Sequence, residues 1–180
     1  MKLIDAKIIN KRCVGLITIF IILCLNTDKM KLSIYSQKEL NFVELNLTGT
    51  DEDYNKLDAE SRYIDTVIFN LFTACFEKSN KLYEYYDATR YNTRYIIPLR
   101  NQLLTHLVRI QKLKTLSEFQ SFLDEKVFGK DFLLALVKMD KTWMDHWTIY
   151  HEKLVKINQE ILDLVDYCID EDHNLYVIGY

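Results

Sequence analysis

Four glycines and a single proline in 180 residues leave this chain few places to turn sharply. A β-sandwich needs a turn signal every 8–12 residues or so, usually Gly or Pro, and the scarcity points instead to long helices. Cysteine is equally sparse, at four residues, and Cys13, Cys24, Cys75 and Cys168 form no CxxC pair and no Cys/His spacing. A structural zinc site is thereby excluded, and Cys75 and Cys168, set in apolar helical patterns, read as reduced buried thiols. The run from Cys13 to Leu25, 13 residues, contains no charge. That is too few to cross a bilayer core of about 30 Å as a helix. The most local absence is of acid: Ala88 to Ser117 contains no Asp or Glu.

What is present is a globular composition, 49% hydrophobic and 27% charged, with a net charge of −3. One domain with a real core is expected at this length. Lys2, Lys7, Lys11 and Arg12 before the uncharged run give residues 1–30 the outline of a leader. Leu23-Cys24-Leu25-Asn26 offers neither a small-residue cleavage site nor a lipoprotein one. A cytoplasmic protein, starting at Met30 or carrying a packed extension, is therefore expected. The alternative is export or membrane association through residues 1–25.

Between residues 31 and 50, Val43, Leu45 and Leu47 alternate with Glu44 and Asn46, as in an extended arm or edge strand. Gly49-Thr50-Asp51 marks a turn, and residues 51–170 form the expected helical domain. From about Asp53 to Asp87, Leu57, Ile64, Val67, Ile68, Leu71, Cys75, Leu82 and Tyr86 keep three-four spacing, predicting one long helix or two in succession. Pro98 opens or kinks the next, whose apolar series is Leu99, Leu103, Leu107, Ile110 and Leu113. Thr115 and Glu118 form a capping box for a short helix to about Val127; Gly129 closes it and Asp131 caps a final helix over Phe132–Ile169. Residues 171–180 read as an irregular tail. The expected fold is all-α, an up-and-down bundle of four or five helices.

The acid-free window gathers Arg90, Arg94, Arg100, Arg109, Lys112 and Lys114, six of the chain's 23 bases, while all 26 acids lie outside it. A cationic stretch in an acidic chain suits a phosphate-bearing partner. Within it Arg100 and His106 stand six positions apart. On one helix they flank an apolar stripe about 120° and 9 Å apart. If that stripe met its own copy about a two-fold axis, the Arg of one chain and the His of the other would line one cleft.

The pair suits metal-free cleavage of an RNA phosphodiester. Imidazole, with a reference pKa near 6.5, can take the 2′-hydroxyl proton, and guanidinium can hold the charged oxygens. Asn101 can orient the phosphate or the histidine. Arg94, Arg109, Lys112 and Lys114 can track the strand, and Tyr91 and Tyr95 can stack on bases. His146 and His151, five apart among aromatics, lack the four-residue spacing of a zinc-binding helix and read as core or interface. Asp170, Glu171 and Asp172 beside His173 read as a frayed helix end.

Leu99-Arg100-Asn101-Gln102-Leu103-Leu104-Thr105-His106 resembles the R-N-x(4)-H form of the motif of HEPN proteins, in its abortive-infection branch. The resemblance implies an all-helical frame and a metal- and cofactor-independent endoribonuclease, with Arg100, Asn101 and His106 as catalytic residues. It also implies a homodimer acting on RNA rather than DNA, as the toxin of a toxin–antitoxin pair or in phage defence, with an antitoxin protein as possible partner. Val108 stands where related toxins carry the tyrosine that accepts AMP, so inactivation by AMP transfer is not expected. A non-catalytic helical module binding RNA or protein, possibly at a membrane, is the alternative.

Overall fold

The computed structural model describes residues 30–36, 41–49 and 53–179. The leader read over residues 1–30, with Cys13 and Cys24, lies outside them apart from Met30. Among the described residues no helix is long and apolar enough to cross a membrane.

The elements run β1 (Ile34–Tyr35), β2 (Phe42–Gly49), β3 (Arg62–Asp65), α1 (Thr66–Phe69), α2 (Thr73–Ser79), β4 (Ala88–Tyr91), α3 (Thr93–Gln111), α4 (Leu116–Asp124), α5 (Gly129–Met139), a 3₁₀ turn (Trp143–His146), α6 (Trp147–Asp170) and β5 (Asn174–Gly179). The strands form one antiparallel sheet ordered β1-β3-β2-β5-β4. The all-α bundle is therefore corrected to a mixed α/β fold, and with it the all-helical frame that the HEPN resemblance implies.

The correction has local causes. β2 is no edge strand: Val43 pairs with Ile64 of β3 on one side and Gly179 of β5 on the other. β5, read as an irregular tail, joins β2 to β4 and puts Leu175 and Val177 into the core. The long helix expected over 53–87 breaks into a loop, β3, two short helices and a second loop, because Ile64, Val67 and Ile68 suit a strand end and a following turn as well as a helix face.

α3 starts five residues before Pro98, where the Asn92 side chain accepts from the Arg94 N–H at 3.2 Å. Its Leu99, Leu103, Leu107 and Ile110 are buried within the same subunit, so the seam expected to meet a second copy is already filled. Each such side chain contributes about 2 kcal/mol through burial.

The Thr115–Glu118 capping box starts α4 as expected. Gly129 opens α5 instead of closing α4, and the position requires glycine, because a Cβ there would stand 1.8 Å from the Leu123 carbonyl oxygen. The final helix divides at Asp140, which binds the Thr142 N–H at 2.8 Å and the Tyr150 hydroxyl at 2.7 Å. α6 runs antiparallel to α3: His151 Nε2–H donates to the Ile110 carbonyl at 2.9 Å, and Asp166 meets Arg100.

The two sheet faces differ. Val43, Leu45 and Leu47 face the helices, while Glu44 and Asn46 face away yet are fully buried, because the loop before β3 folds over them. Leu57 N–H and Ser61 Oγ donate to Glu44 Oε1 at 2.9 and 2.8 Å, and Asn46 Nδ2 donates to the Asn55 carbonyl at 2.6 Å. Tyr54 stacks on Tyr176 of β5 with ring centroids 4.5 Å apart.

Candidate functional site

α3 sends Arg100 and His106 to different places. Arg100, on the flank toward α6, is held by Asp166: Nε to Oδ1 is 2.5 Å and Nη2 to Oδ2 is 3.3 Å. The hydrogen bond to Asp166 raises the guanidinium above its usual range. His106 sits one turn after Leu103 and one before Ile110, on the inward face, and is only 7% exposed. Phe72 and Phe122 pack around its ring, with centroids 5.1 and 5.5 Å away.

Both imidazole nitrogens are engaged. Asn158 Nδ2 donates to the Leu103 carbonyl at 3.1 Å, which turns its Oδ1 toward His106 Nδ1 at 2.7 Å. An amide oxygen only accepts, so Nδ1 carries the proton and Nε2 is left with a lone pair. Lys126 Nζ, 2.7 Å from Nε2, donates to that lone pair. Burial first, then the Lys126 charge, pushes His106 down to about 4, so the ring is neutral at pH 7.

This is not the arrangement expected for phosphodiester cleavage. A general base has to reach the proton it abstracts, and here the free lone pair meets an ammonium inside the subunit. The α6 partners of the pair, Asn158 and Asp166, lie eight positions apart, about 12 Å along the helix. Asn101 is exposed and touches neither: its carbonyl accepts from Thr105 Oγ1 at 2.8 Å. Arg100, Asn101 and His106 are thus not brought together in one subunit.

The residues expected to track a strand fare unevenly. Arg109 is bound to Glu125. Arg94, Lys112 and Lys114 are exposed, Arg94 lying 5.4 Å from the centre of the Tyr95 ring and Lys114 Nζ donating to the Gln111 carbonyl at 3.4 Å. Tyr91 is not available to a base, being fully buried with its hydroxyl on the Phe76 carbonyl at 3.0 Å. Among the described residues no group of three His, Cys, Asp or Glu is placed to hold a metal ion.

Two residues of this site escape motif reading. Lys126 lies just past α4, where nothing in its neighbours marks it as turned inward. Asn158 had a readable signal, a lone amide in the buried row Leu154, Ile157, Ile161 and Val165 of α6. Cys75 completes the surroundings: its Sγ lies 3.8 Å from the Gln102 carbonyl, and burial pushes the thiol up to about 11.

Comparison of the chain with family models, with curated proteins and with solved structures returns no match. The HEPN resemblance thus rests on the R-N-x(4)-H string alone.

Proposed function

We propose that this protein is a non-catalytic module that binds single-stranded RNA along the outward face of α3. The observation that carries the reading is the composition of that face. Arg94, Asn101 and Thr105 lie on it exposed, with no carboxylate anywhere on the helix, and the exposed Lys112, its C-cap, and Lys114 follow at its end. Between them Ile97, Leu104 and Val108 are each 42% exposed, spaced as one row. A cation-edged apolar row offers phosphates their charge and bases a surface to lie on. The sequestration of His106 inside the subunit supports a binder over a nuclease.

One assay tests both parts. Labelled single-stranded RNA is titrated by fluorescence anisotropy over a salt series. Three phosphate contacts give a log–log slope of about −2, and the Arg94→Ala/Lys112→Ala double variant reduces it toward about −0.7 while weakening binding roughly tenfold. The recovered RNA keeps its length. New 2′,3′-cyclic phosphate ends that vanish in His106→Ala would overturn this reading and restore the endoribonuclease, and with it the cleft shared between two copies. Binding indifferent to salt and to the double variant would remove RNA as the partner.

A further inference from the structure

Beside His106 the fold crowds cations where it supplies almost no counter-charge. Lys126 turns its ammonium inward, 2.7 Å from His106 Nε2 and 4.5 Å from the centre of the Phe122 ring. The Arg109 guanidinium reaches the same ring, 5.4 Å from its centre. Lys78 on α2 adds a third positive charge that acts on both His106 and Lys126. Among the described residues Glu125 is the acid that acts on Lys126, and it is bound to Arg109. Among the described residues no carboxylate lies within ion-pair distance of the Lys126 ammonium.

A half-buried ammonium whose near neighbours are an imidazole and an aromatic face is costly to keep. Burial first, with Arg109 and Lys78 adding to it and Cys75 and Glu125 opposing, pushes Lys126 down to about 8. A bound anion relieves that cost. The ammonium has three N–H donors and gives one to His106, which leaves two for an anion's oxygens. Arg109 keeps donors beyond the one used by Glu125, and a cavity of about 260 Å³ opens beside it, lined also by Ser117, Ser121, Phe122 and the carboxylates of Glu118 and Glu125.

We propose that Lys126, just past α4, and Arg109 on α3, with the charge of the exposed Lys78 on α2 added to theirs, form a socket for one phosphate group. The occupant is a backbone phosphate of the bound RNA, an assignment that rests on the reading above. Arg109 borders the acid-free face of α3, so one strand can run along that face and seat a phosphate here. His106 is then a positioning residue: Asn158 fixes its tautomer, and its bare Nε2 aims the ammonium.

The test uses the full chain, inorganic phosphate and, separately, a short single-stranded RNA. Phosphate at constant ionic strength, with chloride as control, is expected to move the Lys126 Nζ resonance and raise its pKa from about 8 toward the ordinary lysine range. Lys126→Met abolishes that response, and Lys78→Ala, an exposed change that leaves the core intact, weakens phosphate binding several-fold. Arg94→Ala/Lys112→Ala leaves the phosphate response unchanged. With RNA, Lys126→Met costs about tenfold in affinity. A Lys126 signal that follows chloride as closely as phosphate overturns the socket. Phosphate binding without RNA binding keeps the socket and removes the RNA reading. RNA binding equal in wild type and Lys126→Met keeps RNA and removes the socket.

Discussion

Glu44→Ala is expected to lose about 4 kcal/mol of unfolding free energy in urea, the largest effect of any single change considered. Glu44 stands on the central strand β2, fully buried, and its Oε1 takes Asn46 Nδ2 at 3.0 Å, the Leu57 N–H at 2.9 Å and the Ser61 hydroxyl at 2.8 Å. Alanine leaves those donors without this acceptor in a place water does not reach, and each unsatisfied group costs about 1–3 kcal/mol. Leu57 adds to the effect. Its φ of 58° is a left-handed conformation that leucine rarely adopts, so the loop holds it against its preference. Without Glu44 that restraint goes, and the loop from Asp53 to Glu60 is expected to exchange its amide protons faster than the sheet beneath it. Glu44→Gln keeps an oxygen acceptor and is expected to lose less than half as much. A loss under 1 kcal/mol in Glu44→Ala would mean that the loop is held from elsewhere.

Why this pinning was invisible in the sequence bears on the whole fold. Where a pattern is local, the residues announced it: the Thr115–Glu118 box, the alternation of Val43, Leu45 and Leu47, and the buried rows of α3 and α6 all appear as read. Sheet partners are not local. β3 and β4 have four residues each and β5 has six, and β2 meets β5 across more than 120 residues of chain. Strands that short carry too little period to compete with the helical spacing around them. The Glu44–Ser61 contact likewise exists only once β2 and β3 are paired. At the site, the spacing of Arg100 and His106 on one helix was legible, and so was their separation by about 120°. What was not legible is which side of α3 turns inward at His106, since that depends on Phe72, Phe122 and Lys126 arriving from other elements. The motif supplied the right helix, and tertiary packing put its histidine inside.

That burial has a pH signature. An unfolded imidazole takes a proton near pH 6.5, whereas His106 in the fold resists until about 4. Between those values the unfolded chain holds the extra proton, so stability rises with pH across the window. The contribution is fully present above about pH 6.5 and is lost as pH falls through 4, amounting to about 3 kcal/mol. Other groups slope the same way: Glu118 and Asp140, held below the usual carboxylate range by their hydrogen bonds, also lose stability in acid. The measurement is therefore a difference. Urea unfolding of wild type and His106→Gln is compared at pH 7 and pH 4.5, since glutamine can still accept from Lys126 and donate to Asn158 without titrating. Wild type is expected to lose about 2–3 kcal/mol more than the variant over that interval. An equal loss in both would mean that the imidazole is open to water and free to take protons, which is the condition a general base requires and a positioning residue does not.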